Sequence, residues 1–171
     1  MKKNLSFFIV FALGIVSFGQ PTIKVFGFEQ EILPGTIAVN VKDENGNTVK
    51  KEAAKKNYFI YLSFKKAYSI TPRQVFINGK AFTTETKQVK KTPVEYLNIN
   101  ALKDSKKMVL VPPTSNKVIE LKIKKPVNVK KSAWLEDLTH KYDIVISYVW
   151  KKKKYYVVLK DLNKIDPLIN E

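Results

Sequence analysis

The chain has 171 residues, with 31 Lys+Arg against 15 Asp+Glu, one His and no Cys. Hydrophobic residues at 44% and aromatics at 12% are enough for a packed core, which excludes wholesale disorder, and the length fits one ordinary domain. Without Cys there are no disulfides, thiolate metal sites, cysteine nucleophiles or lipid-anchor cysteine, and a lone His excludes multi-histidine metal centres.

Residues 1–19 read as a secretory signal peptide. Lys2 and Lys3 form a positive start, and an apolar run from position 5 to 18 follows, interrupted by Ser6, Gly14 and Ser17. That run is short of the roughly 20 residues a membrane span needs. Ser17 and Gly19 supply the small residues of a cleavage site, so the mature chain is expected to begin at Gln20. No later run approaches spanning length. The expected arrangement is therefore a signal peptide at 1–19 and a single β domain at 20–171, exported to the periplasm or secreted.

Removing Lys2 and Lys3 leaves 29 basic residues against 15 acidic, a net charge of +14. Arg73 is the only Arg. Lysine lacks the bidentate fork that reads guanine and grips phosphate, so sequence-specific nucleic-acid recognition is not expected. Lys, Ile, Asn, Phe and Tyr share A/T-rich codons, which makes part of the lysine excess compositional. The charge still attracts polyanions without specificity.

The elements read as strands. Residues 36–42 alternate, with Ile37, Val39 and Val41 on one face, and Glu44-Asn45-Gly46 forms a hairpin loop leading back to Val49. Residues 50–57 are polar and fit an edge strand, a helical turn or a loop. Residues 58–64 are apolar on both faces, the pattern of a central strand covered on both sides. Asn78-Gly79 between 75–77 and 80–82 is a strong hairpin signal, with Pro72 opening the first strand. Further short strands are expected at 94–99, Met108–Val111 and 118–123, punctuated by Pro112-Pro113 and Pro126. Only 132–141 looks even weakly helical, with Trp134, Leu135 and Leu138 at roughly helical spacing, and helix, strand and loop all stay open there. A last hairpin joins 143–149 to 156–160 through Lys151, Lys152, Lys153 and Lys154. Its expected register pairs Trp150 with Tyr155, Tyr148 with Val157 and Ile146 with Leu159, leaving one face apolar.

Many short strands with frequent turns predict an all-β fold, an antiparallel β-sandwich of Ig-like or related Greek-key type, with a closed β-barrel as the alternative.

Candidate chemistry is sparse. Asp43, Asn45 and Asn47 alternate as calcium ligands can, but Gly46 and Ala54 fall where a calcium loop needs other residues, and a hairpin turn explains the same residues. His140 near Glu136, Asp137, Tyr142 and Asp143 has the ingredients of a general base but no matching nucleophile motif. Glu29 with Glu31, and Asp161 with Asp166, are the nearest acid pairs. The glycines are too dispersed for a phosphate loop. Lys151, Lys152, Lys153 and Lys154, between Trp150 and Tyr155-Tyr156, are the one candidate site, a polyanion contact. The competing reading is a charged turn that keeps the hairpin soluble. No enzymatic activity, cofactor or metal is expected. Two functions follow from this sequence: a non-catalytic protein that docks onto another envelope or secreted protein, or a polyanion-binding module for surface polysaccharide, lipopolysaccharide or extracellular nucleic acid.

Overall fold

The computed structural model describes residues 20–34, 55–97 and 107–170. The signal peptide read at 1–19, the hairpin at 36–49 with its alternating Asp43, Asn45 and Asn47, and most of the undecided 50–57 lie outside the described residues. Within them the chain order is β1 (Ile23–Pro34), β2 (Lys55–Phe64), β3 (Thr71–Ile77), β4 (Lys80–Gln88), β5 (Val94–Tyr96), β6 (Met108–Val111), β7 (Lys117–Val127), α1 (Ala133–Lys141), β8 (Ile144–Trp150), β9 (Lys153–Leu159) and β10 (Asn163–Asn170). Among the described residues no helix is long and apolar enough to cross a membrane.

The fold is mostly β, as its period-two pattern predicts. Eight strands share one sheet in the order β10-β1-β2-β7-β4-β3-β8-β9, and the sheet curls into a half-barrel. A separate ribbon pairs β5 with β6. The link 160–162 carries the chain from β9 at one end of the sheet to β10 at the other. So short a link is possible only because curling brings the two ends together. Asp143 holds it there: its carboxylate accepts from the Leu162 amide at 2.8 Å, and its own amide donates to the Lys160 carbonyl at 3.1 Å.

The concave face is the main core. Val25, Ile60, Leu62, Phe64, Val75, Ile77, Ile119, Leu121, Ile144 and Ile146 meet there. Opposite sides of the curl approach so closely at Gly27 that a Cβ on it would lie 2.5 Å from Ile144 Cδ1 and 2.6 Å from Leu159 Cδ2. Glycine is the residue that permits such an approach within a strand.

The convex face is covered twice. The β5–β6 ribbon packs Leu110 and Val111 against Phe28, Tyr61 and Val118. Helix α1 packs Leu135 against Phe76, Ala81 and Val145. This explains why β2 is apolar on both faces: Ile60, Leu62 and Phe64 point into the curl, and Tyr61 lies under the ribbon. Gln30, only 1% exposed, ties the ribbon down. It accepts from the Tyr96 hydroxyl at 2.9 Å and donates to the Asp166 carbonyl at 2.9 Å. The buried amide thus has partners for both of its polar ends.

Several expectations need correction. β1 and β10 were not foreseen as strands, and they pair in parallel, so the sheet is not antiparallel throughout. Pro126 does not end β7; it lies inside the strand opposite Phe82, next to a register shift where a ladder bond is already missing. The last hairpin is displaced by two residues from the expected register. It pairs Ile144 with Leu159, Ile146 with Val157, Tyr148 with Tyr155 and Trp150 with Lys153. A shift of two keeps every side chain on its expected face. It also shortens the loop to Lys151-Lys152 and stacks Tyr148 on Tyr155, with ring centroids 5.7 Å apart.

Candidate binding surfaces

The lysine run at the last hairpin divides into different environments. Lys151 and Lys152 have φ of 48° and 63°, the left-handed conformation that a two-residue hairpin turn matching the strand twist demands. Asn78 and Gly79 show the same geometry, at 47° and 78°, with the residue types that adopt it readily. Lys153 and Lys154 belong to β9 and point to opposite faces. Trp150 is 7% exposed, set edge-on against Tyr68 at 5.9 Å and near Tyr155 at 6.0 Å. It therefore offers little stacking surface. The Lys151 ammonium lies 4.7 Å from the Trp150 ring centroid.

A second aromatic surface lies on the convex face, and the lysine run reaches it through Lys154. Ser132 caps α1, its hydroxyl accepting from the Leu135 amide at 3.3 Å, which fixes where the first turn begins. Leu135 then points into the outer core, and its neighbour Trp134 points to solvent with 57% of its surface exposed. Trp134 meets Tyr156 of β9 edge-to-face at 5.0 Å and 71°. The Lys154 ammonium sits over the same Tyr156 ring at 5.2 Å. Cation, phenol and indole thus form one contiguous surface built by two elements. In the sequence Trp134 resembled a core residue of an amphipathic helix. Standing four residues before Leu138, it shares that residue's side of the helix, so spacing by itself gave no sign of its exposure.

The remaining candidates are dispersed. His140 is exposed in the last turn of α1. Asp143 is occupied as the acceptor that fastens the 160–162 link. Glu29 forms a 2.9 Å ion pair with Lys56, and this hydrogen bond raises the Lys56 pKa against the opposing effect of its burial. Asp161 and Asp166 are exposed at separate points of the link and β10. Among the described residues no group of three or more His, Asp or Glu side chains is placed to hold a metal ion.

Two of the clefts among the described residues gather charged side chains from several elements. One, of about 440 Å³, opens where β2 and β7 diverge beyond the pairs from Tyr61 to Phe64; Lys56, Tyr58, Phe82, Glu120 and Lys124 line it. The other, of about 360 Å³, lies where the ends of β4 and the ribbon meet the start of β7. Comparison with known protein families, with curated proteins and with solved structures gives no match for this chain.

Proposed function

We propose that this chain is a non-catalytic exported domain that docks onto a protein partner of the bacterial envelope or extracellular space through the Trp134–Tyr156 surface. The observation that carries this reading is Trp134 itself, 57% exposed on a rigid cap-anchored turn. Trp and Tyr are the commonest anchors of protein interfaces, where burial of one ring contributes much of the affinity. Lys154 beside them, and the net charge of +14 left after removal of Lys2 and Lys3, select a partner with an acidic face and speed its approach. Lysines lie on β1, β2, β4, β7, α1, β9 and β10 rather than along one track, the pattern of a solvated surface more than of a polymer-binding lane. The proposed sandwich character rests on the close approach of β1 to β8 and β9 across the inner core of the one curled sheet, and the apolar segment at 1–19 supports export.

Site-specific photocrosslinking in cells tests this. A benzoylphenylalanine at position 134 is expected to give one discrete, protease-sensitive adduct, absent when the same probe replaces Lys122 on β7. Lys154→Glu should abolish it. No adduct above the Lys122 control, or a protease-resistant polysaccharide adduct, would refute the protein-docking reading.

A further inference from the structure

We infer that the 360 Å³ cleft at the end of the half-barrel binds a phosphate or sulfate ester carried on a small sugar-like molecule. Its lining brings together Lys66 from the β2–β3 connection, Lys90 just after β4 and Lys117 at the start of β7, with Thr92, Ser115 and Asn116 between them. These positions are far apart in sequence, so the tertiary fold alone creates the cluster.

Among the described residues the charge in this cleft is uncompensated. None of them brings a carboxylate to its lining, and none of the three lysines forms an ion pair with them; the pairs are made by Lys56, Lys107 and Lys124. The larger cleft differs on this point. Its Lys56 and Lys124 are matched by Glu29 and Glu85, and Glu120 adds a further acid. Three like charges around one concavity repel one another, and focusing of their field makes the space a favourable place for an anion.

The walls are already fixed. The Val89 amide donates to the Val118 carbonyl at 3.0 Å. Thr92 Oγ1 donates to the Thr114 carbonyl at 3.2 Å and accepts from the Thr114 amide at 3.1 Å, clamping the two rims together. The Asn116 amide donates to Thr114 Oγ1 at 3.2 Å, and its side chain donates to Ser63 Oγ at 3.4 Å. The Lys117 ammonium lies 6.0 Å over the Phe64 ring, so it is positioned more tightly than a free surface lysine. A site held in its bound shape binds without a large ordering penalty.

The lining also limits the ligand. Lysines bind phosphate-like groups as point charges, and hydroxyl and amide donors satisfy the remaining oxygens. The volume exceeds that of an isolated oxyanion and falls at the small end of ligand pockets. Among the described residues no aromatic ring lines the cleft to stack a base, whereas Gln88, Ser115 and Asn116 suit a hydroxylated ring. The site shares no residue with the Trp134 surface and does not depend on it.

Two-dimensional NMR titration of residues 20–171, at constant ionic strength set with sodium chloride, tests the inference. The probes are glucose 6-phosphate, glucose 6-sulfate, inorganic phosphate and glucose. The esters should give saturable shifts confined to Lys66, Val89 to Thr92 and Thr114 to Val118. They should bind about fivefold or more tighter than inorganic phosphate, while glucose gives none. Lys66→Gln with Lys117→Gln should weaken ester binding about tenfold or more. Lys152→Gln with Lys153→Gln, which removes the same charge at the hairpin tip, should change it less than about twofold. Spectral dispersion confirms that each variant is folded. Unsaturable shifts scattered over many lysines, equal weakening by the two double variants, or esters no tighter than inorganic phosphate would each overturn the assignment.

Discussion

Replacing Gly27 by Ala tests how the half-barrel closes. The new methyl would lie 2.5 Å from Ile144 Cδ1, 2.6 Å from Leu159 Cδ2 and 3.2 Å from Leu162 Cδ2. The first two separations are shorter than carbon atoms tolerate, so side chains must turn or the strands must part. Each contacted atom ends a flexible side chain, which moderates the cost. Three of them converge on one point of a packed core, which limits the escape. Overpacking of this kind costs about 1–3 kcal/mol, and the stiffer unfolded chain returns about 0.4–1 kcal/mol. The net expectation is a loss of about 1–2 kcal/mol, or about 0.5–1 M in the urea midpoint at a slope near 2 kcal/mol/M. Ile144→Val with Leu159→Val deletes both closest atoms. In that background Gly27→Ala should cost less than about 0.5 kcal/mol, a coupling of about 1 kcal/mol between touching sites. Urea unfolding followed by circular dichroism measures all four corners of the cycle. An equal cost in both backgrounds, or a Gly27→Ala variant as stable as its parent, would refute the close approach of β1 to β8 and β9.

Burial, reinforced by the charge of Glu120, pushes the Tyr61 pKa up to about 12 from an ordinary 10.0. The folded state therefore holds this proton more tightly, and its stabilisation is complete below pH about 10 and lost as pH rises through about 12, by roughly 2–3 kcal/mol. Burial raises Tyr58 and Tyr148 in the same direction. Tyr61→Phe should flatten the decline in urea midpoint between pH 9 and pH 11.5, and an unchanged slope would count against its burial. Replacing Lys151-Lys152 by Asn-Gly should stabilise the hairpin by about 1 kcal/mol, because both positions need left-handed backbone; a lower melting temperature would refute that turn. Trp150→Ala should cost about 3 kcal/mol or more, whereas Trp134→Ala should leave stability within about 0.5 kcal/mol. Similar losses in the two variants would contradict their opposite exposures.

Local chemistry was enough to read some elements from the sequence. Asn78-Gly79 specified the β3–β4 turn because those residues adopt positive φ readily. The double-sided apolar run in β2 marked a strand covered on both faces, and the alternation of Ile119, Leu121 and Ile123 fixed which side of β7 faces inward. The spacing of Trp134, Leu135 and Leu138 gave only a weak helical signal over 132–141 and left strand and loop open; the Ser132 cap is seen in the fold. Other features depend on partners distant in sequence. In β1, Gly27 and Gln30 interrupt the apolar pattern, yet both are required: one where the curl closes, the other where ribbon and β10 are tied to the sheet. In β10, Pro167 and the flanking polar residues hide an edge strand that exists because a short link delivers it beside β1. The hairpin at 151–152 gave its faces to period-two reasoning but not its register, since a shift of two preserves every face and stacking of Tyr148 on Tyr155 selects one alternative. The lysines at 151–154 stood out because they are consecutive. Lys66, Lys90 and Lys117 did not, and neither did the pairing of Trp134 with Tyr156, because only the curled sheet and its two convex covers bring those side chains together.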